Sequence, residues 1–286
     1  MRLLVLAYRV AYDAFLAFLR DDGWAIASHI ALSTLMALFP FLILVTALAA
    51  FLGARDLADQ AANLLLEAWP KEAAEPLAGE IHRVLTTTRG DVLTFSAVFS
   101  VYFAANGVES LRIGLNRAYS VRETRNWILL RLESIAYVLV GAIALLAFTV
   151  FIVLGPLLFA ATLRYAPWLE PLETTFTFTR FAIATGLITI ALFVLHKWLP
   201  AGHREFREIA VGILATLVLW LVGGILFGRY LAEFASNYVT YYAGLASVVI
   251  ALVFLYLTAS IFMFGGELNA AICGPGKQNR ESSRGE

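Results

Sequence analysis

The sequence predicts an all-α polytopic membrane protein with six transmembrane helices, an N-terminal interfacial amphipathic helix and a helical outer loop. Three observations predict this fold class. Hydrophobic residues make up 60% of the 286 residues, charged residues make up only 15%, and the mean hydropathy is +0.79, values typical of membrane proteins. Six segments are long and apolar enough to cross a hydrocarbon core of about 30 Å. Lys and Arg are also distributed unevenly between alternate loops.

Residues 1–23 predict an amphipathic helix rather than a signal peptide. Arg9, Asp13 and Arg20 interrupt the apolar stretch, and no small-residue cleavage motif follows it. On a helical wheel these residues fall with Arg2 within about 40°, which leaves a broad apolar face. We expect this helix to lie in the membrane interface beside anionic headgroups. Packing against the bundle is the alternative, and the two arrangements can coexist.

The spans are predicted near residues 28–53, 92–116, 134–163, 180–199, 208–230 and 244–271. With the interfacial helix they form a single membrane domain over residues 1–272, followed by a flexible tail at 273–286. The long loop at 54–91 has apolar residues at helical spacing, with a break at Pro70 and Pro76. This pattern predicts two short amphipathic helices, which either cap the outer mouth of the bundle or rest on lipid.

The count of basic residues orients this arrangement. The N-terminal stretch, the second and fourth loops and the tail hold 13 Lys and Arg residues, whereas the other three loops hold 7. The positive-inside rule therefore places both termini in the cytoplasm. Aromatic residues near the predicted span ends agree with an interfacial belt: Trp24, Trp127, Trp168, Trp198, Tyr230 and Tyr242.

A polar stripe runs along the second span. It comprises Asn106, Glu109, Arg112 and Asn116. The four side chains fall within an arc of about 120°, with Tyr102 in the same arc, so a helix points them in one direction. Ionisable groups at membrane depth are costly and normally face a bundle interior or an aqueous path. The four residues are therefore candidates for a substrate or ion pathway; the alternative is that Glu109 and Arg112 neutralise each other and hold the helix to its neighbours.

The last span carries a second polar constellation. Tyr256, Ser260 and Glu267 share one helical face within about 60°, and we include them among the pathway candidates. Gly265 and Gly266 lie in the same stretch and allow another helix to approach closely.

The two constellations are predicted to meet. Arg112 and Glu267 both lie near the cytoplasmic ends of their spans, so an ion pair between them is geometrically plausible. We therefore predict that Glu109, Arg112 and Glu267 form one coupled polar site between spans two and six. The alternative for Arg112 and Glu267 is a structural salt bridge that locks the two helices together.

The sequence gives little support to catalytic or metal chemistry. The four histidines, His29, His82, His196 and His203, have no ligand-like pattern around them, and Cys273 alone forms no disulfide or cysteine metal site. We therefore expect no catalytic residue, no metal, no cofactor and no enzymatic activity. His29, at the start of the first span, is a minor pathway candidate whose alternative role is a capping or interhelical hydrogen bond. A formal net charge of +0 and a pI near 6.9 argue against a nucleic-acid partner.

Four stretches resemble the YihY/BrkB family of bacterial inner-membrane proteins: ALSTLMALFPFLI, GLNRAYSVRETRNW, KWLPAGHREFREIAVGILATLVLWLVGG and YYAGLASVVIALVFLYLTASIFMFGGELNAAI. The resemblance covers residues 20–272, and its most specific element is the G-x-E-L-N-A string that begins at Gly265. Asn269 belongs to this string and joins the pathway candidates. Ala243 departs from the family pattern, which reads Tyr-Gly directly. The resemblance implies six spans and cytoplasmic termini in the bacterial inner membrane.

The resemblance does not bring a settled activity. Some family members have carried a ribonuclease label, and one branch is named for a serum-resistance virulence factor. Ribonuclease activity conflicts with the residues, since no metal cluster, basic RNA-binding face or acid and base pair is visible.

Three functional hypotheses follow. The favoured one is a transporter or a translocase of a lipid or envelope component, in which spans two and six shelter a charged or headgroup-bearing substrate. The alternative is a non-transporting scaffold for envelope assembly that docks through its interfacial helix and outer loop. An intramembrane enzyme is the third, without a nucleophile and base to name. Membrane lipids and a solute or lipid substrate are the expected partners; the oligomeric state stays open.

Overall fold

The structure is a computed structural model that describes residues 2–51, 90–149, 167–242 and 245–273, with five single residues between 150 and 166. The regular structure of these ranges is helical, which confirms an all-α polytopic membrane fold. The α-helices are α1 Arg2–Arg20, α2 Gly23–Phe51, α3 Gly90–Ala118, α4 Trp127–Thr149, α5 Glu173–Trp198, α6 Phe206–Tyr242 and α7 Ala246–Cys273. A 3-10 helix, Pro167–Leu172, precedes α5.

Helices α2 to α7 correspond in order to the six predicted spans. Four described stretches are long and apolar enough to cross a membrane: Trp127–Ala144, Glu170–Trp198, Phe206–Phe234 and Val248–Cys273. In α2 the described apolar stretch, Gly23–Leu38, is shorter than these four, although the helix continues to Phe51. Helix α3, which carries the polar stripe, is not among the four.

The third span begins earlier than its predicted start at residue 134. Helix α4 starts at Trp127 because the side chain of Asn126 accepts a hydrogen bond of 2.8 Å from the backbone N–H of Ile128. This is the N-cap interaction that satisfies a first-turn donor of a helix. The additional residues at the start of α4 place Arg131 inside the helix rather than in a loop.

Some predicted segments lie outside the described residues. These are the outer loop at 54–91 apart from residues 90 and 91, the tail at 273–286 apart from residue 273, and much of the end of the third span.

Helix α1 packs on α7 and also borders α2. Its buried side includes Ala14 and Phe18, which are 0% and 2% exposed. The chain then turns sharply at Asp22, which has a positive φ of 58°, and Gly23 follows against the ring of Phe18, where a side chain would collide. The rest of α1 presents a broad exposed apolar face: Val5, Leu6, Tyr8, Tyr12, Phe15, Leu16 and Leu19. Packing against the bundle and an exposed apolar face therefore coexist in α1.

The core of the bundle depends on glycines at helix crossings. Gly212 of α6 and Gly265 of α7 touch, because a Cβ on Gly212 would overlap the carbonyl oxygen of Gly265. Gly266 lies against α3, where an added Cβ would be 3.0 Å from Leu115 Cδ2. The close approach predicted for Gly265 and Gly266 is therefore confirmed, with a different helix packed on each glycine.

One end of the bundle, called the loop end here, gathers the α1–α2 turn, the α3–α4 connection, the α5–α6 connection and the end of α7. Arg117 at the end of α3 pairs with Asp22 at 3.3 Å. In the α3–α4 connection, Arg125 donates a 3.1 Å hydrogen bond to the carbonyl of Leu199 at the end of α5. The thiol of Cys273 lies beside the first turn of α6. These segments are the ones that the charge count assigns to the same side.

Candidate functional site

A left-handed turn ends α3 and sends the chain back along its own side. Ser120 has a positive φ of 51°. The backbone N–H of Val121 donates to the carbonyl of Asn116 at 2.9 Å, and that of Ser120 donates to the carbonyl of Arg117 at 2.8 Å. This pair of hydrogen bonds is the Schellman motif, which satisfies the last carbonyls of a helix. It makes α3 and α4 antiparallel neighbours along the polar stripe.

The polar stripe meets α4 in a group that we call the α3–α4 charged cluster: Asn106, Glu109, Arg112 and Arg131. The Glu109 carboxylate lies between two guanidinium groups, 3.5 Å from Arg112 and 3.3 Å from Arg131. Arg131 also donates to the side-chain oxygen of Asn106 at 2.7 Å. Its guanidinium lies 4.7 Å from the centroid of the Tyr102 ring and donates to the Tyr102 carbonyl at 3.3 Å. Tyr102, Asn106, Glu109 and Arg112 thus share the face that the wheel predicted.

Arg112 is tied to α4. It is 3% exposed, and it donates to the carbonyl of Leu130 at 3.1 Å and to the hydroxyl of Ser134 at 3.2 Å. The predicted ion pair between Arg112 and Glu267 is wrong, because α4 rather than α7 covers this side of α3. The pairing of Arg112 with Glu109, which was the structural alternative, is present.

The α3–α4 charged cluster is open on one flank. The side chains of Glu109 and Arg131 are 29% and 18% exposed, and the neighbouring Tyr102 is 55% exposed. Trp127, 68% exposed, begins α4 one helical turn before Arg131, a rise of about 6 Å. Trp is enriched at membrane interfaces, so we expect the cluster to lie just inside the level that Trp127 marks.

A second polar group, called the polar core here, comprises Tyr119, His196, Asn269 and Gly212. The amide nitrogen of Asn269 donates to the Tyr119 hydroxyl at 3.3 Å, while its oxygen accepts from the backbone N–H of Gly212 at 2.6 Å. The Tyr119 hydroxyl lies 3.0 Å from Nδ1 of His196. His196 and Asn269 are fully buried, so the group joins α3, α5, α6 and α7 away from solvent.

The surroundings of Tyr119 and His196 determine which of their polar atoms carry protons or lack a partner. Burial raises the pKa of the Tyr119 phenol, against the smaller effects of the Asn269 hydrogen bond and the Arg204 charge, so the hydroxyl stays protonated. The Arg204 guanidinium lies 4.0 Å from the centroid of the Tyr119 ring. The Nε2 atom of His196 is buried without a hydrogen-bond partner in the described part of the chain.

The remaining face of α7 turns toward α1 and α2. Glu267 is 2% exposed, and its charged neighbours are Arg20 at the end of α1 and Asp21 directly after it. The ring of Tyr256 lies 6.0 Å from that of Trp24, centroid to centroid. Ser260, also buried, donates to the Tyr256 carbonyl at 2.8 Å. The pathway candidates on α7 therefore lie apart from the α3–α4 charged cluster, and the single coupled site with Glu267 is wrong.

Asn116 connects two loops at the loop end through hydrogen bonds. Its amide nitrogen donates to Glu123 at 3.1 Å, and its oxygen accepts from the backbone N–H of Ala201 at 2.7 Å. Glu123 and Arg125 form a two-pronged ion pair, with a shortest distance of 2.8 Å, and Arg125 also binds Glu133 at 2.9 Å. The hydrogen bonds from Arg125 hold the pKa of Glu123 at about 2. Asn116 therefore belongs to a connection between loops.

His29 forms the interhelical hydrogen bond that the sequence allowed as its alternative role. Its Nδ1 atom lies 2.6 Å from the hydroxyl of Ser110, which donates to the carbonyl of Asn106 at 2.8 Å. Since the hydroxyl proton is used, Nδ1 of His29 is the donor to Ser110. This bond joins α2 to α3. Within the described residues, no three His, Cys, Asp or Glu side chains gather as a metal site.

Sequence reasoning missed Arg131, Tyr119 and the role of His196. Arg131 was counted as a loop charge because the third span was predicted to begin at residue 134. The Asn126 cap was the available signal for an earlier start. A histidine inside an apolar span is a further signal, since buried polar side chains in membranes need partners. The partnership of Tyr119 with Asn269 depends on helix packing, which the sequence does not display.

A family model described as Virulence factor BrkB matches residues 14–285. The chain belongs to the BrkB family. This confirms the resemblance that the Gly265–Ala270 string carries. Among BrkB relatives, the ribonuclease-like protein YfkH of Bacillus subtilis strain 168 is 24% identical over 260 residues, which cover 91% of this chain and 94% of that protein.

Two further relatives of this BrkB-family chain are named UPF0761 membrane proteins. The one from Rhodospirillum centenum is 28% identical over 277 residues, 93% of this chain, and the chain spans only 58% of that relative's length. The one from Coxiella burnetii strain Dugway 5J108-111 is 25% identical over 268 residues, with 89% of this chain and 90% of that protein covered. No solved structure matches the chain.

Proposed function

We propose that this BrkB-family protein is a transporter or translocase that moves a lipid or envelope component in the bacterial inner membrane. The α3–α4 charged cluster is the observation that carries this proposal. Three charged side chains, Glu109, Arg112 and Arg131, meet inside a bundle of apolar helices. Charged groups at membrane depth are costly, and they commonly mark substrate or ion paths. The partial exposure of Glu109 and Arg131 leaves room for a substrate to contact them.

We place the proposed path between spans two and three, that is, between α3 and α4, rather than between spans two and six. Glu267 lies near α1, whereas Arg131 of α4 takes the position beside Glu109. Asn106, Glu109 and Arg112 keep their place as candidates for the path.

The proposed orientation puts the loop end and both termini in the cytoplasm. Three tryptophans at this end are exposed, Trp24, Trp127 and Trp198, at 45%, 68% and 54%. Exposed Trp residues favour the membrane interface, and the larger count of basic residues belongs to the same segments. Both observations support a cytoplasmic loop end.

Helix α1 is proposed to contact membrane lipid at the same interface. Its exposed apolar face would lie against acyl chains, while Arg2 and Arg9 lie on the polar side of the wheel, where anionic headgroups would attract them. The same exposed face supports the second candidate function, a non-transporting scaffold that docks a partner of the envelope. The two candidates differ in what they require of the α3–α4 charged cluster.

The proposal is for a protein without enzymatic activity. The ribonuclease-like name belongs to the Bacillus subtilis relative. A formal net charge of +0 and the apolar composition of this chain favour a lipid or a small solute over RNA as partner.

Complementation of a strain lacking the gene tests the proposed function. Glu109→Gln and Arg131→Gln each remove a charge from the cluster, and Arg117→Gln is a matched control, since Arg117 is 51% exposed and pairs outside the cluster. Thermal unfolding of each purified variant reports whether it is folded. For a transporter we expect folded cluster variants that fail to complement and a control that complements. Full complementation by both cluster variants would favour the scaffold.

A further inference from the structure

The charges of the α3–α4 charged cluster do not cancel. Two guanidinium groups, of Arg112 and Arg131, flank the single carboxylate of Glu109 at 3.5 and 3.3 Å. The cluster therefore carries one excess positive charge. An anion placed beside it would neutralise that charge in a region where hydration is weak.

The two arginines differ in what they can offer a ligand. Arg112 is 3% exposed, lies 3.5 Å from Glu109 in an ion pair, and donates to the carbonyl of Leu130 and to Ser134, so it acts as a fixed buried charge. Arg131 is 18% exposed and donates three hydrogen bonds within the described residues, to Asn106, to Glu109 and to the Tyr102 carbonyl. A guanidinium has five N–H donors, so Arg131 keeps two for an acceptor such as a phosphate oxygen.

The surface beside Arg131 changes from polar to apolar with depth. Along α3, away from the loop end, Asn106 is followed by Tyr102, Phe99 and Val98, which are 55%, 45% and 64% exposed. On α4, Leu132 next to Arg131 is 59% exposed. A polar group near the interface with an apolar strip below it has the shape of a lipid, whose headgroup lies at the interface and whose acyl chains lie deeper.

We propose that the α3–α4 charged cluster binds the phosphate of an anionic phospholipid, with Arg131 as the contacting residue and the acyl chains along Tyr102, Phe99 and Val98. This inference rests on the proposed function and names its substrate class. The depth of the cluster agrees, since Arg131 lies one helical turn, about 6 Å, inside the level of Trp127. Arg112 supplies charge without contact, and Glu109 orients both guanidinium groups.

Lipid titration of the purified full-length protein tests the inference. The probes are phosphatidylglycerol, phosphatidylethanolamine and inorganic phosphate, with Kd measured from the shift in Tm and bound lipid identified by native mass spectrometry. For Arg131→Gln we expect a Kd for phosphatidylglycerol about tenfold higher than that of the wild type, because the variant loses a charge-assisted hydrogen bond to the phosphate. Arg131→Lys keeps the positive charge but loses the two-pronged donor geometry of the guanidinium, so its Kd should fall between those of Arg131→Gln and the wild type. Arg117→Gln is the matched control and should stay within about twofold.

The outcomes separate the lipid site from the transport function. Equal affinity for the anionic and the zwitterionic lipid, or an unchanged Kd in Arg131→Gln, would overturn the inference, and so would inorganic phosphate binding as tightly as phosphatidylglycerol. Weakened binding with intact complementation would support the lipid site and contradict transport through it. Failed complementation with unchanged lipid binding would contradict the lipid site and leave the role of the cluster in transport supported. If Arg131→Gln does not fold, the Kd of Arg131→Lys decides, and a wild-type value would overturn the inference.

Discussion

The hydroxyl of Tyr119 and Nδ1 of His196 lie 3.0 Å apart in the buried interior of the bundle, where the ends of α3 and α5 meet. Asn269 of α7 donates to the same hydroxyl and accepts from the backbone of Gly212 in α6. One phenol thus connects four helices through a chain of hydrogen bonds. A buried network of this kind is stabilising only while each member keeps its partner.

Replacing Tyr119 with Phe should therefore destabilise the fold. The substitution keeps the ring but leaves buried polar atoms of His196 and Asn269 without their partner, at a cost of about 1–3 kcal/mol in the free energy of unfolding. Unfolding in mixed micelles measures the change. Tyr8→Phe is the control, because Tyr8 is 71% exposed, and its effect should stay within about 0.5 kcal/mol. Equal effects of the two substitutions would contradict the network.

Alanine at Gly212 should be strongly destabilising, whereas alanine at Gly228 of the same helix should not. A Cβ at position 212 overlaps the carbonyl oxygen of Gly265 and comes within 2.5 Å of the Asn269 side chain, so α6 and α7 must separate. A Cβ at position 228 meets no atom within 4 Å. Overpacking of this kind costs about 1–3 kcal/mol or more, while Gly228→Ala should be neutral or slightly stabilising. Thermal unfolding of both variants tests the contrast, and a stable Gly212→Ala would count against the crossing.

The sequence predicted the helices well because their signals are local. Span length and hydropathy located α2 to α7, and the Gly265–Gly266 pair correctly indicated a close helix approach. The start of α4 was missed by seven residues, since Arg131 and Glu133, which are charged, lie in its second turn. The cap at Asn126 nevertheless starts the helix at Trp127.

The partners in the polar groups were harder to predict, because a wheel gives the direction of a side chain and not the helix that it meets. Glu109 and Arg112 were correctly placed on one face, yet the order of helices around α3 decides that this face meets α4. Glu267 was correctly expected near the loop end, and packing of α1 on α7 gave it Arg20 and Asp21 as neighbours. Helix order is a property of the whole bundle, which local patterns do not encode.

Acid should remove the stabilising effect of Glu123. Its pKa is about 2, below its ordinary value near 4.5, because Arg125 binds the ionised form. A lowered folded-state pKa means that the contribution is complete above the ordinary value and is lost as the pH falls from about 4.5 toward 2. The difference in stability between the wild type and Glu123→Gln should therefore be constant near pH 7 and shrink below pH 4.5. Unfolding curves at several pH values test this, and a difference that grows in acid would contradict the ion pair.

Thiol labelling should place the α3–α4 connection in the cytoplasm and the start of α5 outside. In a Cys273→Ser background, a cysteine at Arg122 should react with a membrane-impermeant reagent only in inverted vesicles. A cysteine at Trp168, which lies in the 3-10 helix before α5 and is 76% exposed, should react in intact cells. The positive-inside count motivates this assignment. Reaction of both cysteines from the same side would exclude an odd number of crossings between the two positions.

Double-mutant cycles should show that Arg112 is coupled to Glu109 and not to Glu267. Arg112→Gln should cost about 2 kcal/mol or more, because Glu109 loses its ion-pair partner and Leu130 and Ser134 lose a buried charged donor. Combined with Glu109→Gln, the loss should be smaller than the sum of the single losses by at least about 0.5 kcal/mol, since the pair is removed together. Combined with Glu267→Gln, the losses should add within about 0.5 kcal/mol, because Arg112 contacts Glu109, Leu130 and Ser134 and shares none of these partners with Glu267. Unfolding free energies of the five variants decide between these cases. A clear coupling between Arg112 and Glu267 would restore the site between α3 and α7 and exclude the α3–α4 arrangement.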